Sequence, residues 1–562
     1  MMKSRLRDLK PASAGPPPRL PPLSAAEGAY AMPQRIDARA ARAALPLWGE
    51  AALRAAEAHW APLLPAHALM QRAGEAASRL LAARWPHARR VLLLCGPGNN
   101  GGDGLAAAAS LARRDFAPRL RVVLVGCGDA SQWNPQRRPA DWCWALAQAR
   151  AAGLQPVAWE GGDAAGWLRD ADAVVDALLG LGLREAPRGQ LGEAVQALDG
   201  RPEGLPLLAL DLPSGLRGAT GEAPGAHVRA DATLAMLGLQ PGHVGGPQAA
   251  ACGELWLDAL QVDMRAAAPA APRALLGDSD SALRALPPLH RAAHKGERGD
   301  VRLFGGAAGM TGALWLAARA ALLLGGGRVY AASLDPRAPA VDAEFPELML
   351  RDVDSLLEAA RGAGRGAACH VFGPGAGASP QALRCLLELL DAPQPLVIDA
   401  DGLNLLAAQP RDGAAWQALR RRAHAAWLTP HPTEAARLLE CETSSVQSDR
   451  LAAARRLCEL TGAQVVLKGA GSVIACTDGT TWVNHGGNGL LATAGTGDVL
   501  AGALGACLAR SAGASHAARA AVWLHAAAAE LALRDGAALR AGTLAQWMLR
   551  SWREAAPGVC NA

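Results

Sequence analysis

Short apolar runs alternate with longer segments of helical spacing, and this alternation occurs twice along the chain. In the first stretch, runs at 90–95, 119–125, 172–177, 205–211, 231–236 and 254–258 have the length and flanks of buried strands. Segments at 104–114, 139–152 and 189–199 carry apolar residues at helical spacing, and 38–83 reads as helical with breaks near Pro62 and Pro65. Strands alternating with helices predict a mostly parallel sheet covered on both faces. The pattern lapses in the Ala/Pro segment Ala266–Pro272, where we place the domain boundary. It restarts with strands near 301–304, 328–333, 369–373, 395–399, 425–429 and 464–468 and a hairpin-like stretch over 472–484. Helices are expected at 311–324, 496–510, 516–534 and 543–553. The fold class is therefore α/β, with two doubly wound three-layer domains over 31–272 and 273–562. Residues 1–30 mix Lys, Arg, Pro and Ala without a long apolar core and read as a disordered tail, not a signal peptide.

Composition narrows the function classes. A chain of 562 residues is too long for one core. No apolar stretch reaches the ~18–20 residues that span a membrane. The net charge of +5 is spread along the chain, and with four Phe and two Tyr no basic-aromatic surface for nucleic acid emerges. Eleven cysteines without a C-x-x-C pair fit free thiols in a reducing cytoplasm. Lysine is the sharper signal. Arginines number 52 and lysines four: Lys3 and Lys10 in the tail, and Lys295 and Lys468 beside glycines. A compact ammonium kept at such positions points to a role that a guanidinium cannot fill.

Four strand ends in the first half carry unusual chemistry. Gly-Pro-Gly-Asn-Asn-Gly-Gly-Asp-Gly at 96–104 follows the run 91–95 and contains five glycines. This reads as a strand, a glycine loop able to adopt positive φ, and a helix start whose N–H groups point at a ligand. The loop lacks the lysine and Ser/Thr of a phosphate-binding P-loop, and Asn99, Asn100 and Asp103 suit hydroxyls, amides and a cation. Asp176 ends one strand before Leu178-Leu179-Gly180, Asp211 ends another before Leu212-Pro213-Ser214-Gly215, and Leu239-Gln240-Pro241-Gly242 follows a fourth. A strand-end aspartate is often only a helix cap. Beside a glycine-rich loop, Asn100, Asp176 and Ser214 would offer oxygens to a hard cation, leaving Asp211 as general acid–base.

These motifs, with Leu69-Met70-Gln71-Arg72-Ala73-Gly74 before them, resemble in order the NAD(P)H-hydrate epimerase domain. The resemblance implies a Rossmann-like fold, interconversion of the R and S hydrates of NADH and NADPH, and a bound potassium ion. It puts Asn99, Asn100, Gly101, Gly102 and Asp103 at the substrate, with Gly180, Leu181, Gly182, Leu183, Arg184, Glu185 and Ala186. Asn100, Asp176 and Ser214 would hold potassium, and Asp211 would stand at the reacting centre.

In the second half, Gly495-Thr496-Gly497-Asp498 opens a helix, so backbone N–H groups form an anion hole beside a carboxylate. Lys468-Gly469-Ala470-Gly471-Ser472 ends a strand and could cradle a nucleotide phosphate. His431 lies in Thr-Pro-His-Pro-Thr-Glu, and Asp399-Ala400-Asp401 supplies two carboxylates. Together these resemble the ADP-dependent NAD(P)H-hydrate dehydratase, a relative of the ribokinase-like kinases. That implies phosphoryl transfer from ADP to the hydrate hydroxyl, with magnesium accompanying the nucleotide and release of NAD(P)H, AMP and phosphate. Asp498 would be the base; Ala313, Gly375, Gly377, His431 and Asp498 would meet the hydrate, and Lys468, Gly469, Ala470, Gly471, Ser472 and Gly497 the nucleotide. Thr433, Leu490 and Gly325-Gly326-Gly327-Arg328 depart from the family pattern.

One fused repair enzyme is the main reading, working as a homo-oligomer on hydrated NAD(P)H and ADP. A kinase for a small alcohol is the alternative for the second half, and a non-catalytic binding scaffold for the first.

Overall fold

The structure, a computed structural model, describes residues 32–37, 43–115, 117–127, 138–267, 271–283, 295–362, 367–510 and 513–556. The expected tail at 1–30 lies outside these residues.

The chain builds two large sheets. The first has eight strands. From edge to edge they are Gln34–Arg35, Glu254–Asp258, Ala232–Met236, Leu207–Leu210, Ala173–Ala177, Arg90–Cys95, Arg119–Leu124 and Val157–Ala158. All pair in parallel except the first, which runs antiparallel to its neighbour. Alternation along Val91–Cys95 shows why the strand is apolar throughout. Val91, Leu93 and Cys95 enter one core, while Leu92 and Leu94 enter the core on the opposite face.

The second sheet has eleven strands. Its parallel part runs Met349–Leu350, Arg328–Ser333, Asp300–Gly305, Ala368–Phe372, Leu396–Ile398, Ala426–Leu428 and Gln464–Leu467. The hairpin expected over 472–484 is present as Ser472–Ala475 and Thr481–Asn484, antiparallel. Helices cover this sheet too. In Pro380–Asp391, Ser379 caps the start by accepting from the Ala382 N–H, and Pro380 pre-sets the first turn. Ala382, Cys385, Leu386, Leu389 and Leu390 then bury one face at helical spacing.

Two elements differ from the expectation. Leu45–Leu47, inside the segment read as helical, is a strand; helices occupy Glu50–Trp60 and Ala68–Arg84. That strand leaves the first sheet altogether. It pairs antiparallel with Ala274–Leu276, which pairs in parallel with Thr481–Asn484, so it forms the outer edge of the second sheet. The glycine-rich segment is a loop only over 96–98, since the helix begins at Asn99 and runs to Ala112.

An apolar core joins the halves: Leu47, Leu239 and Val244 share one cluster with Leu276, Val473 and Val483. The Trp48 N–H donates to the Leu239 carbonyl at 2.7 Å across the same junction.

Candidate active sites

In each sheet the strand order reverses at one point. The reversal lies between Arg90–Cys95 and Ala173–Ala177 in the first sheet, and between Asp300–Gly305 and Ala368–Phe372 in the second. In open α/β sheets, ligands bind outside the carboxyl ends of strands at such points.

At the first reversal, Asn99 and Asn100 open the helix, and Asp211 ends a strand two places away. The glycines here serve close packing, not left-handed turns. A Cβ on Gly101 would lie 1.9 Å from the Gly96 carbonyl, and one on Gly104 would lie 2.5 Å from the Ala177 side chain. Gly102 faces the Met70 thioether. None of the glycines in 96–104 has a positive φ. Asn99 is exposed, Asn100 buried and Asp103 partly buried. Burial pushes the Asp103 carboxyl well above its usual range, reinforced by the charges of Glu57, Asp211 and Asp141.

Behind the Gly180–Ala186 loop lies a compact oxygen cluster. Asp176 is wholly buried. It accepts from the Ser214 N–H at 2.8 Å, the Ser214 hydroxyl at 2.7 Å and the Leu178 N–H at 3.2 Å. Ser214 Oγ accepts from the Leu179 N–H at 2.9 Å. Burial raises the Asp176 carboxyl to about 6 against these hydrogen bonds. Asn100 Nδ2 donates to the Leu179 carbonyl at 2.9 Å, while its buried Oδ1 has no donor among the described residues. Asn100 and Ser214 are both tied to Leu179, and a buried acceptor left bare on one of them suits a hard cation.

Asp211 is buried against Gly180, where an added Cβ would fall 2.7 Å from Asp211 Oδ2 and 3.3 Å from Asn100 Cβ. Burial and then the Glu57 charge raise Asp211 to about 7, opposed by a backbone hydrogen bond from Leu181 and by Arg54. Gly182, at φ 92°, faces Glu50 and Arg54 of the helix Glu50–Trp60. Leu181, Leu183 and Ala186 are partly buried, and Gly182, Arg184 and Glu185 are exposed. Glu50, Arg54 and Glu57 carry no local motif, and only the tertiary fold brings them here.

Beside the second reversal the segments after four strands supply the site: Ala368–Phe372, Leu396–Ile398, Ala426–Leu428 and Gln464–Leu467. Lys468 Nζ meets Asp399 Oδ1 at 2.6 Å, and the Thr429 hydroxyl donates to the same oxygen at 2.8 Å. Gly497 lies over this pair, with an added Cβ 3.2 Å from Lys468 Nζ. The ammonium expected at a phosphate is thus held inside an acidic cluster. Burial opposes its charge, yet Asp399, Glu434 and Asp498 keep its pKa raised. Asp498, in the first turn of Thr496–Arg510, is raised to about 7 by burial and then by Asp399, with Lys468 opposing and Asp401 and Glu434 adding. His525 Nε2 donates to the Thr496 carbonyl at 2.9 Å; burial lowers its pKa to about 4, so the ring is neutral.

His431 is half-exposed and caps the helix Pro432–Leu439. Its Nδ1 accepts from the Thr433 N–H at 3.1 Å, and the His431 backbone N–H donates to Glu434 Oε2 at 2.8 Å. Burial, then Lys468, lowers its pKa. Gly375, at φ 60°, abuts Ala313, and the Gly377 N–H donates to Asp401 at 2.8 Å.

In the loop 468–472, Gly469 and Ala470 are exposed, Ser472 is partly buried and Gly471 is buried. Arg450 supports the loop from below, donating to the Leu467 carbonyl at 3.2 Å and the Lys468 carbonyl at 3.1 Å. Gly471, at φ 65°, would put a Cβ 2.5 Å from the Val244 carbonyl of the first half.

Two family models match the chain. One, described as the YjeF-related protein N-terminus, covers residues 66–242, and one described as NAD(P)H-hydrate dehydratase covers 301–550. The molecule is therefore a two-part α/β enzyme whose second half is an NAD(P)H-hydrate dehydratase domain. It is 35% identical over 476 residues to the bifunctional NAD(P)H-hydrate repair enzyme Nnr of Escherichia coli (strain K12), covering 84% of this chain and 87% of that protein. The bifunctional NAD(P)H-hydrate repair enzyme of Leishmania braziliensis is 33% identical over 482 residues, covering 82% of this chain and 84% of that one. The ADP-dependent (S)-NAD(P)H-hydrate dehydratase of Neisseria meningitidis serogroup B is 43% identical over 255 residues, covering 45% of this chain and 83% of that one. The chain belongs to the bifunctional NAD(P)H-hydrate repair enzyme family.

Proposed function

We propose that the first half interconverts the R and S hydrates of NADH and NADPH. The second half then dehydrates the S form at the expense of ADP, giving NAD(P)H, AMP and phosphate. Likeness to bifunctional NAD(P)H-hydrate repair enzymes over most of the chain carries this reading, and the placement of two carboxyls agrees with it. Each half places one carboxyl, Asp211 or Asp498, at the reversal of its sheet with its acidity moved to about 7. A group titrating near working pH can both take and return a proton.

In the first half, Asp211 acts as general acid–base, while Asn99–Asp103 and Gly180–Ala186 contact the hydrate. Asn100, Asp176 and Ser214 would hold potassium, which would supply positive charge beside the substrate. In the second half, Asp498 takes the proton of the hydrate hydroxyl as the phosphoryl group arrives, and the Gly495–Gly497 amides face the transferring charge. Ala313, Gly375, Gly377 and His431 line the hydrate side; Gly469–Ser472 and Gly497 line the nucleotide side, with Lys468 beneath. Among the described residues no group of three His, Cys, Asp or Glu is placed to hold a metal. Magnesium would accompany the nucleotide and bind its phosphates.

The functional division falls near 272, with Leu45–Leu47 serving the second sheet. Among the described residues no helix is long and apolar enough to cross a membrane, and no disulfide joins two described cysteines. Action in the cytoplasm agrees with those cysteines. A homo-oligomer completes the reading, to be checked by light scattering.

The decisive assay incubates the protein with hydrated NADPH and either ADP or ATP. Return of NADPH absorbance with AMP formation supports the reading; a stable phosphorylated product from ATP alone would replace it with a kinase. Asp176→Ala is expected to raise the potassium concentration needed for epimerisation, and an unchanged potassium titration would remove Asp176 from that role.

A further inference from the structure

The backbone at Asp211 is itself unusual. Its φ is 62°, and the Leu212 N–H donates to the Leu210 carbonyl at 2.8 Å. Asp211 is thus the centre of a three-residue turn in the left-handed region, a rare and strained conformation for a residue with a side chain. Such a conformation persists only where the surroundings enforce it.

Two contacts enforce it here. The Asp211 N–H donates to the Leu234 carbonyl at 2.8 Å, and the Asp211 carbonyl accepts from His243 Nε2 at 2.6 Å. The tautomer of His243 is fixed by its other nitrogen. The Gln240 N–H donates to Nδ1 at 2.9 Å, and since a backbone amide only donates, Nδ1 is bare and Nε2 carries the proton. His243 is wholly buried, which lowers its pKa to about 4 and keeps the ring neutral. It lies in the short helix Pro241–Val244, after the strand Ala232–Met236 that neighbours Leu207–Leu210. The next strand therefore sends its loop back to grip the Asp211 turn.

We propose that His243 is a positioning residue for epimerisation, holding the Asp211 peptide in the turn that aims the carboxylate at the Gly180–Ala186 loop. This rests on Asp211 being the reacting group. A shift of about 1 Å at a reacting group can cost on the order of a hundredfold in rate.

The test uses the full-length protein at saturating potassium and follows conversion of the R hydrate in four variants. His243→Leu removes the donor at similar volume, and His243→Gln keeps an N–H able to reach the carbonyl. His243→Asn keeps a polar amide that is too short. Asp211→Asn tests the assignment beneath. Expected is a fall in kcat of about tenfold or more for His243→Leu with KM nearly unchanged, and recovery of most of the rate in His243→Gln. Should the leucine variant not fold, the Gln/Asn pair repeats the contrast. Equal losses in Gln and Asn, or wild-type kcat in the variants lacking the donor, would overturn the positioning role. Wild-type turnover by Asp211→Asn would instead overturn the assignment of Asp211.

Discussion

The two sites reach the same acidity by different routes. Asp211 is raised to about 7 by burial and by the like charge of Glu57, with Arg54 only a minor opponent. Asp498 is raised to about 7 by burial among Asp399, Asp401 and Glu434, with Lys468 as its counter-charge. A carboxyl held high by one anion and a carboxyl held down by one cation respond oppositely when that neighbour is removed. The same comparison explains why one of the few lysines stands at 468. Lys468 Nζ lies under Gly497 and against Asp399, a place that suits a compact ammonium.

The largest test of this difference is Asp498→Asn. The amide keeps the shape at the helix start but cannot accept a proton, so dehydration should fall by about a hundredfold or more. Epimerisation on the same preparation should persist. Dehydration near the wild-type rate would remove Asp498 as the base.

Lys468→Met should act next in size. Losing the cation raises the Asp498 pKa, so the carboxylate becomes available only at higher pH. The rising limb of the dehydration profile, expected near pH 7, should move upward, and the rate at neutral pH should fall with it. A limb that stays in place would show that Lys468 does not govern Asp498.

Glu57→Gln should have the smallest effect and the opposite sign. Removing the like charge lowers the Asp211 pKa, so at fixed potassium the corresponding limb of the epimerisation profile moves down by less than about one unit. An upward shift would mean that Glu57 acts on Asp211 other than by charge.

The parts of this comparison were unequally legible in the sequence. The central parallel strands are buried on both faces, so runs such as Val91–Cys95 and Leu207–Leu210 announce themselves. Edge strands do not. Leu45–Leu47 and Ala274–Leu276 have three residues each, and the pairing that makes them strands spans more than two hundred residues. Glycine usually marks a turn, and 96–98 is one, but Gly101 and Gly104 lie in the helix and are small because neighbouring backbone and side chains leave no space. Asp211 and Asp498 were visible beside their motifs. Glu57 and His243 were not, since a lone glutamate on a helix and a lone histidine after Pro-Gly carry no local signal, and each acquires its role from a strand far along the chain.

The central claim is that one chain carries two separately wired sites, one centred on Asp211 and one on Asp498. The most direct measurement mixes purified Asp211→Asn with purified Asp498→Asn and supplies ADP and an R/S mixture of hydrated NADPH. Alone, the first should clear only the S fraction beyond slow spontaneous epimerisation, and the second should clear none. Together they should restore NADPH from both forms. A mixture that still leaves the R fraction behind, or either variant that loses both activities, would contradict the account.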